Sequence, residues 1–369
     1  MWFSGWVEIT TSVQLSPELL EVIDVIADQA ATSDVSGVPR SHFHALARVG
    51  AHGSPKDART WREITIRIAG ADTSTWFCWA QHQTPLRTLE LGGNQPAASA
   101  LQERWLPGLQ SGEQLAAVAF GHLRRPGPAN PVARQLDGAW VLDGTLDWVT
   151  SWDIADLLMI MAFTEDKSQI VTFFIPIDGF EQIISGTTVG EPLQLLAMSG
   201  THTRPIKLTG SVIPAEFVFD ISPYEDWRGP DTRKTNSPNF AAFGIARAAI
   251  EELESVGIAR NNAPARELAA IFASKYQSLR EHAENLVDSG AAASDSDLID
   301  SRVEILEFAR ECAIAVVVAR AGAGMQSGRS AERRVREAMF LQIQAQTEVT
   351  RNAALHRTVD RYAGLSLNV

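Results

Sequence analysis

The sequence predicts an α+β protein in three parts: a helical N-terminal domain over 1–115, a β-rich middle domain over 116–225 and a helical bundle over 226–369. Three observations carry this. The apolar period changes from that of helices to that of strands near Ala116 and back beyond residue 225. All ten tryptophans lie at or before Trp227. Beyond Phe240 the only proline is Pro264, and the tail is rich in alanine. A single core stops growing at roughly 250–300 residues, so a chain of 369 also calls for more than one packed substructure.

The N-terminal part opens with Ser16-Pro17-Glu18, an N-cap, a first-turn proline and an acid, ahead of apolar Leu19, Leu20, Ile23, Ile26, Ala27 and Ala30. Further helices are expected over 41–49, stopped by Gly50, over 57–69 and 74–91, and from Pro96 through Trp105. In the middle part, β-rich runs at 140–144, 157–163, 170–177, 193–198 and 206–218 are broken by Gly, Pro and Asp, a spacing that fits a small barrel or sandwich. The tail carries helical periodicity over 240–255, 267–287, 298–320 and 331–362, and the composition of 288–297 is that of a loop. This predicts a C-terminal four-helix bundle. Ile299, Val303, Leu306, Ala313 and Val317 make one apolar stripe, and 312–319 is apolar all round, so self-association as a homodimer or homotetramer is expected.

Composition narrows the function. The 44 acidic and 32 basic residues leave a net charge of −12, unlike the basic footprint of a nucleic-acid binder. Cys78 and Cys312 are too few for a disulfide framework. The apolar runs at 157–163 and 313–319 fall short of the ~20 residues that span a bilayer. Residues 1–8 hold no basic segment and include Glu8, so no signal peptide is expected and the reading is a cytoplasmic protein without a membrane partner. Of eight histidines, His42 and His44 sit two apart on a helix and face different ways. No HExxH, CxxC, Rossmann glycine pattern, P-loop or nucleophile elbow occurs, and no metal is expected.

The stretch Trp140-Val-Leu-Asp-Gly-Thr-Leu-Asp-Trp-Val-Thr-Ser-Trp-Asp-Ile-Ala-Asp156, leading into an apolar strand, resembles the acyl-CoA dehydrogenase superfamily. Met198-Ser-Gly-Thr-His-Thr203 followed by Val212-Ile-Pro-Ala-Glu216 is similar to the family's Ser/Thr-rich turn and strand end. Glu332-Arg-Arg-Val-Arg-Glu-Ala338 resembles the opening of its last helix, and Ala321-Gly-Ala-Gly-Met325 stands where the family has Gly-Gly-x-Gly-Tyr. The resemblance implies the family's helical, β-barrel and four-helix domains and a flavin, FAD with FMN as the alternative. Trp148 would then pack by the isoalloxazine ring, Thr150 would hydrogen-bond near N5 with Ser151 adjacent, and Gly322 and Gly324 would bring backbone N–H groups to the cofactor. By themselves, Trp148 reads equally as a core aromatic, Thr150 as a strand residue and Gly322/Gly324 as a flexible turn.

Three departures from the family pattern stand out. Phe120-Gly-His-Leu-Arg-Arg-Pro-Gly127 replaces the usual Thr-Glu-Pro and Gly-Ser-Asp, so His122, Arg124 and Arg125 are either an exposed basic loop or contacts to an anion. Arg-x-x-Phe-Gly, which in the family meets the FAD pyrophosphate held by a partner subunit, is reduced to Arg260-Asn-Asn262. The glutamate that takes the α-proton in dehydrogenation precedes Gly-Thr on the final helix in most members; here it falls, by alternative registers, at Ala345 or Gln344, and the family's other base location falls near Lys234-Thr235. Glu348 is the nearest acid.

The resemblance therefore implies a flavin-dependent oxidoreductase acting on a small molecule, a CoA thioester in the family, without the usual base. Two other readings stay open: a flavin-dependent monooxygenase of the same fold, which needs no such base, and a non-catalytic subunit paired with an active homologue.

Overall fold

A computed structural model of the chain describes residues 9, 11, 13–54, 57–125 and 130–363. Five helices come first: α1 (Pro17–Ser36), α2 (Arg40–Arg48), α3 (Ala58–Ala71), α4 (Thr73–Leu91) and α5 (Ala98–Ser111). The expected cap starts α1, with Ser16 Oγ accepting from the Leu19 N–H at 3.2 Å and Pro17 in the first turn. Eight strands follow: β1 (Ala116–Ala119), β2 (Val132–Leu136), β3 (Ala139–Val149), β4 (Leu157–Thr164), β5 (Gln169–Pro176), β6 (Thr187–Val189), β7 (Arg204–Ile213) and β8 (Val218–Pro223). A single turn, α6 (Phe180–Ile183), lies between β5 and β6. The tail is helical: α7 (Tyr224–Asn236), α8 (Phe240–Ala259), α9 (Ala263–Asp288), α10 (Asp295–Arg320), α11 (Ser330–Leu341) and α12 (Glu348–Ala363).

Three expectations change. The run 193–198 forms no strand: Pro192 has no N–H to give, and Met198 is left-handed at φ 66°. The run 206–218 divides at Pro214, which ends β7 before a 3₁₀ turn leads into β8. The run 331–362 is two helices, broken around Ala345 at φ 51°. The sequence reading also missed β1, β2 and α7. The polarity of α7, with Gly229 and Pro230 inside it, hides its period.

By compactness the described chain forms two units. One is made of Leu15–Trp61 and Ser74–Pro230, the other of Arg62–Thr73 and the chain from Asp231 onward, together with the described residues before Leu15.

In the first unit, one mixed sheet is paired in the order β6-β7-β3-β2-β4-β5-β8, with β1 parallel to the start of β4. All of β4 but its last residue is buried. Side chains alternate across a strand, so its unbroken apolar run means that both faces are covered. Leu158, Ile160 and Ala162 join the core that includes Leu142, Phe173 and Ile206. Leu157, Met159, Met161 and Phe163 join the one that takes in Leu86, Leu101, Trp105 and Leu109 from α4 and α5. Buried polar ties fix the helices. His42 on α2 bonds Thr75 Oγ1 at 2.9 Å and Gln29 Oε1 at 3.0 Å. His82 Nδ1 accepts from the Ala116 N–H at 3.1 Å, which leaves Nε2 to donate to the Leu109 carbonyl at 3.2 Å.

In the second unit, α8, α9, α10 and α11 pack together, the first three each begun by a side-chain cap. Asn239 caps α8, Asn262 caps α9 ahead of Pro264, and Ser294 caps α10. Gly70 and Gly244 let α3 and α8 cross at backbone distance: a Cβ on Gly244 would lie 2.3 Å from the Ile66 carbonyl. Glu63, wholly buried, meets Arg67 at 2.7 Å, Arg280 at 2.8 Å and Arg247 at 3.6 Å. A charge removed from water requires such partners.

The buried imidazoles set an acid limit. Burial holds His52 and His122 down to about 4 and His82 to about 3. Unfolded, each titrates near ~6.5. Below that pH the unfolded chain binds protons that the folded chain refuses, so stability present above about pH 6.5 is lost as pH falls toward 4. Each such proton adds a slope of ~1.4 kcal/mol per pH unit. Denaturant midpoints measured from pH 7.5 to 4 should fall through this window; a level midpoint would contradict the assignment.

Candidate functional site

The end of β3 presents Trp148 to solvent with half of its surface exposed, although its neighbours Val149, Thr150 and Ser151 are buried. Trp148 is thus no core aromatic. A register shift in the β3–β7 pairing between Leu146 and Val149 accompanies the turn of the chain here. Ser151 is left-handed at φ 69°, its N–H donates to the Thr201 carbonyl at 2.9 Å, and its carbonyl accepts from Ile154 and Ala155. Its hydroxyl is buried without a partner. A buried hydroxyl that bonds to nothing in the protein fits a bound polar ligand.

Facing this turn is the segment 198–203. Met198 and His202 are left-handed at φ 66° and 46°. Gly200 lies so close to α1 that a Cβ would meet the Ser33 carbonyl at 1.9 Å. Asp153 joins the two segments, with one oxygen 2.9 Å from His202 Nδ1 and the other accepting from Arg204 Nε at 2.9 Å. Inside, Thr150 Oγ1 lies 3.2 Å from Thr203 Oγ1, which lies 2.9 Å from Thr201 Oγ1, which donates to the Met198 carbonyl at 2.7 Å. The sequence reading named neither Asp153 nor the role of Thr201 and Thr203. Residues 201 and 203 carry hydroxyls at strand period within a quoted motif, and that was the available signal.

The loop at 120–125 is not simply exposed. His122 is buried and bonds the Met161 carbonyl at 2.6 Å. The Arg124 guanidinium lies 4.9 Å from the Phe120 ring centre, and Arg125 pairs with Asp147 at 3.5 Å. Pro126 and Gly127 lie outside the described residues.

In the helical unit, α10 ends in the 3₁₀ turn Ala321–Met325. Arg260 Nη1 donates to the carbonyls of Ala319 and Arg320, both at 3.1 Å, so this remnant of the Arg-x-x-Phe-Gly motif closes the C-terminus of α10. Ala321 takes φ 54°, ψ −140°, a conformation that favours glycine. A Cβ on Gly324 would lie 2.8 Å from the Val317 carbonyl, whereas one on Gly322 would meet nothing. Glu252 accepts from Arg320 Nε at 2.5 Å and Ser330 Oγ at 2.8 Å and pairs with Arg334, tying both sides of the turn to α8. In the 332–338 motif, Glu332 pairs with Arg336 at 2.7 Å and Arg333 with Glu337 at 3.2 Å.

Between α11 and α12, the buried Arg302 donates to the carbonyls of Gln344 at 2.9 Å and Ser237 at 3.0 Å, and Asn239 Nδ2 donates to Gln344 Oε1 at 3.4 Å. Sequence reasoning missed Arg302 and Asn239, which no local motif marks. Ala345 is left-handed, and Glu348 is exposed in the first turn of α12. Thr235 is buried, its hydroxyl bonded to the Thr232 carbonyl at 2.9 Å. Among the described residues no group of three or more His, Cys, Asp or Glu is placed to hold a metal ion, and no helix is long and apolar enough to cross a membrane.

No protein-family model matches the chain. Among curated proteins, the chain is similar to the mitochondrial isovaleryl-CoA dehydrogenase of Arabidopsis thaliana, with 29% identity over 33% of this chain and 30% of that protein. It is also similar to benzylmalonyl-CoA dehydrogenase of Aromatoleum aromaticum, with 22% identity over 61% of this chain and 62% of that protein. The matched segments thus span about a third to three fifths of these relatives. Among solved structures, glutaryl-CoA dehydrogenase from Mycobacterium smegmatis, in complex with FADH2, aligns with a TM-score of 0.74 at 16% identity, over 94% of this chain and 95% of that one. The resemblance to the acyl-CoA dehydrogenase superfamily is therefore shown, and the fold is that of its members, an α+β arrangement of helices, sheet and helices.

The 321–325 turn gives a stability test of opposite signs. Ala321→Gly should stabilise by about 1 kcal/mol, because relief of the left-handed backbone exceeds the entropy cost of glycine. Gly324→Ala should destabilise by ~1–3 kcal/mol, because the methyl group meets a fixed carbonyl. Thermal melts of the two variants check both signs.

Proposed function

We propose that the chain is a flavin-dependent oxidoreductase with FAD, rather than FMN, as the bound cofactor. The observation that carries this reading is the pairing of an exposed Trp148 with the partnerless buried hydroxyl of Ser151 beside Thr150. A planar ring needs an aromatic surface and a few polar contacts along its edge. The solved glutaryl-CoA dehydrogenase with its FADH2 supports the same cofactor. Gly322 and Gly324 are proposed as the residues whose backbone approaches the cofactor's phosphates, with Gly324 required by the close approach of Val317. A bound flavin would supply a hydride acceptor. The substrate is proposed as a small molecule of the CoA-thioester class, from the names of the relatives.

The left-handed backbone at Ala345 favours the register in which Ala345 stands where the family has the glycine after its base, which puts Gln344 at the base position. Neither an amide nor a methyl group takes a proton near neutral pH. Glu348 is turned to solvent at a helix N-terminus, where its charge is favourable on structural grounds alone. The protein is then a poor dehydrogenase of simple acyl-CoAs. The amide pair Asn239–Gln344 also favours a second reading, flavin-dependent monooxygenation, which needs no α-proton base.

FAD titration followed by anaerobic bleaching with a panel of acyl-CoAs tests both readings. Trp148→Ala should weaken FAD binding several-fold and leave the melting temperature nearly unchanged, since the side chain is exposed. Wild-type bleaching should be slow, and Gln344→Glu should accelerate it, toward the ~10²–10⁴-fold that a positioned base contributes. Fast wild-type bleaching abolished by Glu348→Gln would overturn the missing-base assignment, and failure to bind FAD or FMN would overturn the cofactor.

We also propose self-association through the helical unit, as a homodimer or homotetramer. Ile314 and Val318, one turn apart on α10, are exposed, and so is Met325 beyond its end. Light scattering at micromolar concentration should give a multiple of the 40.2 kDa chain mass; a monomer would refute it.

A further inference from the structure

Protons in the hydroxyl chain behind Thr150 can be assigned from its far end. A carbonyl oxygen only accepts, so the Thr201 hydroxyl must spend its single proton on Met198. In the 2.9 Å contact between Thr201 and Thr203, Thr201 therefore accepts and Thr203 donates. Thr203 has then no proton left for its 3.2 Å contact with Thr150, so Thr150 donates inward. All three residues are buried. The direction is enforced by structure: Gly200 lies under α1 and Asp153 ties both segments, so the Met198 carbonyl and the three hydroxyls keep their places.

We infer that this relay makes Thr150 a hydrogen-bond acceptor only toward any ligand, so the site favours a reduced flavin over an oxidised one. The inference rests on the flavin reading above and on Thr150 meeting the ring near N5. Oxidised N5 offers a lone pair, which a hydroxyl already committed inward cannot satisfy. Two-electron reduction with uptake of a proton would leave an N5–H, which could donate a hydrogen bond to the Thr150 oxygen. The neighbouring Ser151 hydroxyl, buried and partnerless, is not part of the relay and gives no compensating bias from it.

The test is a ratio of affinities. Protein fluorescence is titrated with oxidised FAD and, anaerobically, with dithionite-reduced FAD, for wild type, Thr150→Val, Thr203→Val and Thr203→Ser. Wild type should favour reduced over oxidised FAD by about 5–10-fold more than Thr150→Val does, one hydrogen bond's worth. For a two-electron couple that ratio corresponds to about 20–30 mV in the potential of the bound flavin. Thr203→Val releases the Thr150 proton, so its ratio should fall to that of Thr150→Val or below, while Thr203→Ser keeps the wild-type ratio. Thr201→Val, which frees Thr203 to donate to Thr150, should shift the ratio in the same direction and serves if Thr203→Val does not fold. Equal ratios in wild type, Thr203→Val and Thr201→Val would overturn the inference while leaving the flavin reading intact. Absence of binding by FAD in both states would overturn the reading and the inference together.

Discussion

The candidate site depends on left-handed backbone at residues that are not glycine. Ser151, Met198, His202, Ala321 and Ala345 all take positive φ, and each stands at a turn carrying a site segment. Such residues cost of order 1–3 kcal/mol each and persist only where the surroundings over-determine them. The surroundings are visible. Ser151 is held by the Thr201 carbonyl, His202 by Asp153, Ala321 between Arg260 and Glu252, and the Ala345 turn by Arg302 and Asn239. The turns are stiff because hydrogen bonds from distant segments hold them, not because their residues prefer that shape.

The same pattern explains what the sequence could disclose. Elements with a regular period and a local cap were legible: α1 from Ser16-Pro17, β4 from its unbroken apolar run, α10 from its stripe. Breaks imposed by a left-handed alanine were not, since alanine is a strong helix former and nothing near residue 345 signals a stop. Of the site, Trp148, Thr150 and Ser151 could be named because they are contiguous. Asp153 and Arg204 lie 51 positions apart, and Arg302 and Gln344 lie 42 apart, so their pairing exists only in the fold. The proton order of Thr150, Thr203 and Thr201 belongs to the same class, because it depends on a carbonyl at the far end.

Charged side chains in the helical unit act mainly as fasteners. Glu252 gathers Arg320, Ser330 and Arg334, and Arg260 closes α10. An arginine motif that resembles a cofactor contact in sequence is here spent on backbone carbonyls. Residue identity in a motif is thus weaker evidence of a role than the partner the side chain has found.

The Glu63 cluster has a consequence for dissecting the molecule. The helical unit takes Arg62–Thr73 and the described residues before Leu15 from early in the chain and the rest from Asp231 onward. A fragment cut before Asp231 and expressed alone would keep the Arg247–Glu251 and Arg280–Glu284 pairs but leave behind the wholly buried carboxylate of Glu63 that both arginines share. Removing one partner from a buried ion pair strands the other at high cost. The bundle is therefore not a module that can be transplanted as one continuous stretch; the segment Arg62–Thr73, encoded ~160 positions upstream of Asp231, is built into it, and a graft or a deletion series must carry the separate pieces.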